Sequence, residues 1–253
     1  MILDQFRLDE RVALVTGASR GLGQAMAVAL AEAGADVALL GYRTPLDETM
    51  RRVLEAGRRG LSIEADLSGI ESVDGILKQV IDRFGRIDIL VNNAGVTRTR
   101  EALDFSIEAW DEVIALNLRT VFFLSQAVAR EMIKTGGGKI IHIASMTSFE
   151  GGALIPSYAA SKGGVAAMTR SLADEWAGKG IHVNAIAPGW MATEMTEGLW
   201  KDPVRNAKLM ERIPAGRWGR GEDLMGAVVF LASAASDYVN GHILCVDGGY
   251  LAR

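Results

Sequence analysis

Short apolar runs at residues 11–16, 36–40, 61–65, 87–91, 139–144, 182–186 and 243–246 alternate with helix-length segments. The helix-length segments lie at 21–34, 46–59, 72–84, 107–135, 157–177 and 223–234. Strands separated by helices can pair only as parallel neighbours through right-handed crossovers, so the pattern predicts a parallel sheet covered on both faces. A (β/α)8 barrel shows the same alternation. The glycine-rich turn after the first run favours a Rossmann-like α/β fold, a doubly wound parallel sheet with helices on both faces. No repeat, low-complexity stretch or linker interrupts the chain, and residues 1–253 read as a single domain.

The core this fold needs is available, because 49% of the chain is hydrophobic. Only 6% is aromatic, so Ala, Val, Ile and Leu must fill it. A net charge of −4 gives no reason to expect nucleic acid or an anionic membrane as partner. Cys245 is the only cysteine, which excludes an intrachain disulfide, and no Cys/His spacing suggests a metal. The first ten residues contain Asp4, Arg7, Asp9 and Glu10 and lack the apolar stretch of a signal peptide. A cytoplasmic setting is therefore expected.

The turn after the first strand reads Thr16-Gly17-Ala18-Ser19-Arg20-Gly21-Leu22-Gly23. Glycines let a backbone approach a pyrophosphate, whose charge meets the amino end of the next helix. The Gly-x3-Gly-x-Gly spacing alone also suits an ordinary strand-to-helix turn. Asp66 and Leu67 follow the third strand, where a carboxylate can accept from an adenine amino group. Asn92-Asn93-Ala94-Gly95 closes the fourth strand, at the sheet edge where open α/β folds bind ligands.

Tyr158 and Lys162 stand four apart, on one face of a predicted helix. A phenol with a pKa near 10 is a poor base at neutral pH; a neighbouring ammonium, with an oxidised nicotinamide nearby, would lower it. Ser145 ends the fifth strand and can donate to a reacting oxygen, and Asn117 falls in the long helix at 107–135. His142, His182 and His242 sit at strand positions without an acidic partner and read as structural.

With these residues in order, the whole chain resembles the short-chain dehydrogenase/reductase family, from the Gly17 turn to Pro188-Gly189. The resemblance implies an NAD(P)-dependent oxidoreductase with Tyr158 as acid/base, Lys162 tuning it and holding the nicotinamide ribose, and Ser145 polarising the substrate oxygen. It implies that Asn117 holds a water linking Lys162 to solvent. Pro188, Gly189, Met191 and Thr193 would line the nicotinamide, and a homotetramer is expected.

The carboxyl-terminal third (Ile213-Pro214-Ala215-Gly216-Arg217-Trp218-Gly219, Ala235 to Gly241 and Val246 to Arg253) is similar to the sugar-acid branch, the 2-deoxy-D-gluconate 3-dehydrogenase or 2-dehydro-3-deoxy-D-gluconate 5-dehydrogenase group. A 3-oxoacyl-carrier-protein reductase is the alternative enzyme, and a non-catalytic NAD(P)-binding regulator the alternative of another class. Arg98 or Arg100 is a candidate to clamp a substrate carboxylate, unless both are surface charges beside Glu101 or Asp104. Arg217, or Arg253 from a neighbouring subunit, are further candidates, and Trp190 and Met195 could shape the pocket or pack a lid. The second strand ends in Gly41-Tyr42-Arg43, without the acid that would bind the ribose 2′-hydroxyl of NAD. Arg20 or Arg43 could hold the 2′-phosphate of NADP. The sugar-acid branch tips the expectation to NAD, with NADP the alternative.

Overall fold

A computed structural model describes residues 1–252, so Arg253 lies outside the described residues. In chain order the elements are β1 (Val12–Thr16), α1 (Gly21–Glu32), β2 (Asp36–Gly41), α2 (Asp47–Glu55), β3 (Gly60–Glu64) and α3 (Val73–Phe84). There follow β4 (Ile89–Asn92), α4 (Ile107–Ile114), α5 (Thr120–Lys134), β5 (Gly138–Ile143), α6 (Pro156–Trp176) and β6 (Ile181–Pro188). The last are α7 (Glu197–Trp200), α8 (Pro203–Met210), α9 (Met225–Ala232) and β7 (Ile243–Val246).

The strands form one parallel seven-stranded sheet in the order β3-β2-β1-β4-β5-β6-β7. The winding reverses between β1 and β4, opening a crevice at their carboxyl ends. Strand alternation divides the core. Ala13 and Val15 of β1 pack with α1 and α9, whereas Val12 and Leu14 point to the side of α3, α5 and α6. Both faces are covered, so β1 and β2 are buried along their whole length. Helix α1 is Ala-rich because it lies between the sheet and α9, and Met26 to Ala31 are all buried.

The expected helix at 107–135 is broken. α4 passes into a π-helical turn, Ala115–Arg119, before α5 begins. Ile107–Lys134 is long and apolar enough by length and composition to cross a bilayer. Here Leu124, Val128 and Met132 of this segment cover the sheet. Helices α7 and α8 form a flap after β6 that the periodicity argument left unassigned. Asp202 caps α8, accepting from Val204 N at 2.9 Å and Arg205 N at 3.1 Å, with Pro203 in the first turn.

Candidate active site

The glycine turn is built for close approach. Gly17 and Gly21 have φ of +64° and +57°, and α1 starts at Gly21 without a side-chain cap from Arg20. The amide donors of its first turn thus have neither an intrahelical nor a capping partner. A Cβ on Gly23 would collide with Gly17 O and Asn93 Nδ2, whereas one on Gly21 would meet only Thr193 Cγ2 at 3.9 Å. Thr16, a residue the sequence reading gave no role, ties this turn to β4. Its Oγ1 accepts from the backbone N of Asn93 and of Ala94, both at 2.9 Å. Asn93 Nδ2 returns bonds to Thr16 O at 2.9 Å and Gly17 O at 3.2 Å.

These loops enclose a cleft of about 750 Å³. Gly17, Ser19, Arg20, Gly21, Leu22, Gly23, Asp66, Leu67, Asn93, Ala94 and Gly95 line it, as do Ser145, Tyr158, Lys162, Pro188, Gly189, Met191 and Thr193. The cleft also reaches Tyr42, Thr44, Val96, Thr97, Ala144 and Glu194, which sequence reasoning had not placed there; each follows a strand end, the one signal that could have found it. The free amides of α1, the tight glycines and the elongated cleft fit a dinucleotide. Among the described residues no cluster of His, Cys, Asp or Glu is arranged to hold a metal.

At the β2–β3 end, the Ser68 amide donates to Asp66 Oδ1 at 2.8 Å and holds its carboxyl below the usual range. Arg43 adopts a left-handed φ of +57° and its guanidinium lies 4.7 Å from the Tyr42 ring centre. Arg20 is drawn across the cleft to Glu194 of the flap, 2.5 Å away.

At the other end, Ser145 follows β5 in an extended conformation and its Oγ accepts from Thr147 N at 3.1 Å. Tyr158 and Lys162 project from the first turns of α6. Lys162 is buried, its Nζ donating to Ile143 O at 2.6 Å and lying 5.7 Å from the Tyr158 ring centre. Desolvation pushes this ammonium down to about 8. The sequence reading expected Lys162 and an oxidised nicotinamide together to lower the Tyr158 phenol; in the chain by itself, burial pushes that phenol up and the Ser145 hydroxyl offsets it. The lysine's long stem carries its charge past the ring to a strand carbonyl.

Asn117 lies beneath the cleft in the π-turn, which rotates it out of the α-helical register. It is fully buried and its side chain clamps the loop after β4: Oδ1 accepts from Val96 N at 2.9 Å and Nδ2 donates to Val96 O at 2.8 Å. Behind it runs a buried polar chain. Asn92 Nδ2 donates to Ser125 Oγ at 2.9 Å, His142 Nε2 lies 3.1 Å from Ser125 Oγ, and His142 Nδ1 lies 2.9 Å from Thr169 Oγ1. His142 is a core residue, as expected.

The substrate candidates separate. Arg98 lines the cleft, its Nε donating to Glu112 Oε2 at 2.8 Å and its Nη2 to Oε1. Arg100 is exposed and lies outside the cleft lining. Its backbone N donates to Leu154 O at 2.8 Å. Trp190 lines an adjoining cavity of about 240 Å³ with Met191, its ring edge-on to Trp218. Arg217 is paired with Asp223 at 2.6 Å.

Comparison with known proteins agrees with this geometry. Residues 17–251 match the family model described as enoyl-(acyl carrier protein) reductase. The chain is 55% identical over 254 residues to the 2-dehydro-3-deoxy-D-gluconate 5-dehydrogenase of Escherichia coli K12, covering 100% of both. It is 49% identical over 250 residues to the enzyme of that name from Bacillus subtilis 168, covering 99% of this chain and 98% of the relative. A gluconate 5-dehydrogenase from Burkholderia cenocepacia J2315, solved with NADP and tartrate, superposes with a TM-score of 0.94 at 42% identity over 100% of both chains. A 50% identical structure from Agrobacterium tumefaciens with bound NADP gives a TM-score of 0.92 over 98% of this chain and 99% of that one. The chain belongs to the short-chain dehydrogenase/reductase family of NAD(P)-dependent oxidoreductases.

Proposed function

We propose that this enzyme interconverts a hydroxyl and a ketone on a sugar acid such as 2-dehydro-3-deoxy-D-gluconate or 2-deoxy-D-gluconate. The observation that carries the reading is the convergence of Ser145, Tyr158 and Lys162 on one end of the cleft, in a chain 55% identical to a sugar-acid dehydrogenase. Tyr158 exchanges the proton of the reacting oxygen, Ser145 hydrogen-bonds that oxygen, and Lys162 supports Tyr158 electrostatically from its buried position. Because burial keeps the phenol protonated, Tyr158 is ready as a donor to a ketone. The bound nicotinamide supplies the hydride donor or acceptor and, when oxidised, the positive charge that favours a phenolate. Asn117 holds the Val96 loop in place, and Arg98 is the better-placed of the two arginines to meet a carboxylate.

The glycine turn, Asp66, Leu67, the Asn93 loop, Pro188, Gly189, Met191 and Thr193 serve the cofactor. Gly41 leaves the end of β2 without a carboxylate, and two solved relatives contain NADP, which does not favour NAD. We therefore assign NADP, with Arg20, which lines the cleft beside Glu194, or Arg43, which follows β2 outside the lining, as the partner of the 2′-phosphate. The chain works as one unit in the cytoplasm and assembles as a homotetramer. Exposed Ile107, Trp110 and Phe123 on α4 and α5 support a subunit contact.

Turnover of 2-dehydro-3-deoxy-D-gluconate, 2-deoxy-D-gluconate and an acetoacetyl thioester with each cofactor tests the reading. The sugar acids should exceed the thioester at least about tenfold in kcat/KM. The reverse order assigns acyl-carrier chemistry, and cofactor binding without turnover on any of them assigns a regulator.

A further inference from the structure

The loop leaving β4 is held at both ends. Asn117 clamps the backbone of Val96, and Arg100 N donates to Leu154 O at 2.8 Å. Between these anchors stand Thr97 and Arg98, both on the cleft wall. Arg98 carries five N–H donors, and three are used within the chain. Glu112 takes the Nε edge with both carboxylate oxygens, and Thr97 O accepts from Nη1 at 2.9 Å. Two donors remain, one on each terminal nitrogen. On the same stretch of loop the Thr97 hydroxyl is buried without a hydrogen-bond partner. An unpaired buried hydroxyl is costly, and a site that supplies an acceptor removes that cost.

On the sugar-acid reading above, we propose that Thr97 and Arg98 bind the substrate carboxylate, and that Glu112 is the positioning residue that sets Arg98 for it. The two outer Arg98 donors match the two oxygens of a carboxylate, and the Thr97 hydroxyl gives a third hydrogen bond. Glu112, on α4 and outside the cleft lining, occupies the adjacent Nε edge of the guanidinium and fixes its plane. Its negative charge offsets that of Arg98, so the subsite selects by directed hydrogen bonds more than by bulk attraction. A neutral group in the carboxylate's place would use these donors poorly.

The test compares kcat/KM for 2-dehydro-3-deoxy-D-gluconate with that for its carboxamide. Arg98→Met should lower the acid-to-amide ratio at least about 30-fold, mainly through KM for the acid. Thr97→Val keeps the shape and removes the hydroxyl; the ratio should fall about tenfold. Glu112→Gln should lower it about fivefold, with Glu112→Asp restoring at least half of the loss. A role confined to stability would move both substrates together and leave the ratio unchanged. If Arg98→Met leaves the ratio unaltered, the carboxylate reading of this loop is wrong. If Arg98→Met lowers it but Thr97→Val and Glu112→Gln do not, Arg98 acts alone and the proposed subsite is rejected.

Discussion

Replacing Lys162 with Met should make the cofactor-free enzyme more stable while abolishing its turnover. Lys162 is buried with no acidic partner among the described residues, and desolvation brings its pKa from 10.5 to about 8. The sign follows from proton counting. At pH 7 both states are protonated and the folded state carries the whole penalty. Between the folded and unfolded pKa values the unfolded chain binds more protons, so stability rises with pH across that window. The shift amounts to about 3 kcal/mol at pH 7 and about 1.4 kcal/mol at pH 9.5. Met removes the charge but also the bond from Nζ to Ile143 O, worth about 1 kcal/mol. The net gain is about 2 kcal/mol at pH 7, or roughly 5 °C in Tm for a chain of this size. Near pH 9.5 it should shrink almost to nothing. Thermal unfolding of both proteins at pH 7, 8 and 9.5, without cofactor, measures the gap. A Met variant less stable than the parent at pH 7, or a gap that does not change with pH, would refute the argument.

Tyr158→Phe should reduce turnover about 100-fold or more while cofactor affinity, followed by fluorescence titration, changes little. Gly23→Ala should cost most of the cofactor affinity, because its Cβ meets the Gly17 carbonyl, which cannot yield without deforming the turn; normal titration of the variant would contradict the cradle. In a direct comparison of kcat/KM, NADP should exceed NAD by about tenfold, and Arg20→Met or Arg43→Met should remove most of that preference; a preference for NAD in the parent overturns the assignment.

Much of this was readable from the residues because strand ends and motif positions coincide. The alternating apolar runs located all seven strands to within a few residues, and every residue proposed for the cofactor from the glycine turn, Asp66, Asn93 and Pro188 lines the cleft. What the sequence left open depends on contacts distant along the chain. The π-turn carries Asn117, whose side chain bonds Val96, and no helical periodicity reveals a bond across 21 residues. The flap was missed because α7 and α8 bury no residue and so carry no apolar stripe, although Asp202-Pro203 is a readable cap. The Arg98–Glu112 pairing spans 14 residues between a loop and a helix, and only the fold brings the two together. Spacing shows that Tyr158 and Lys162 share a helix face, but not that burial raises the phenol in the chain by itself.

The buried histidine has a consequence of its own. Ser125 Oγ lies 2.6 Å from Val121 O and Thr169 Oγ1 lies 2.7 Å from Val165 O, so each hydroxyl has a helix carbonyl to satisfy with its single hydrogen. If both did so, both imidazole nitrogens would have to donate, and the ring would be a cation. Desolvation, with repulsion from Lys162, pushes His142 down to about 3, so the ring is neutral and has one hydrogen to give. One hydroxyl must therefore turn toward the ring and release its carbonyl. The chain of hydrogen bonds then has a polarity, running either from α5 to α6 or from α6 to α5, and the imidazole tautomer records which. Deleting the hydroxyl on one helix dictates the orientation of the one on the other. Helices α5 and α6 are thus linked through a proton arrangement that can reverse while every heavy atom stays in place.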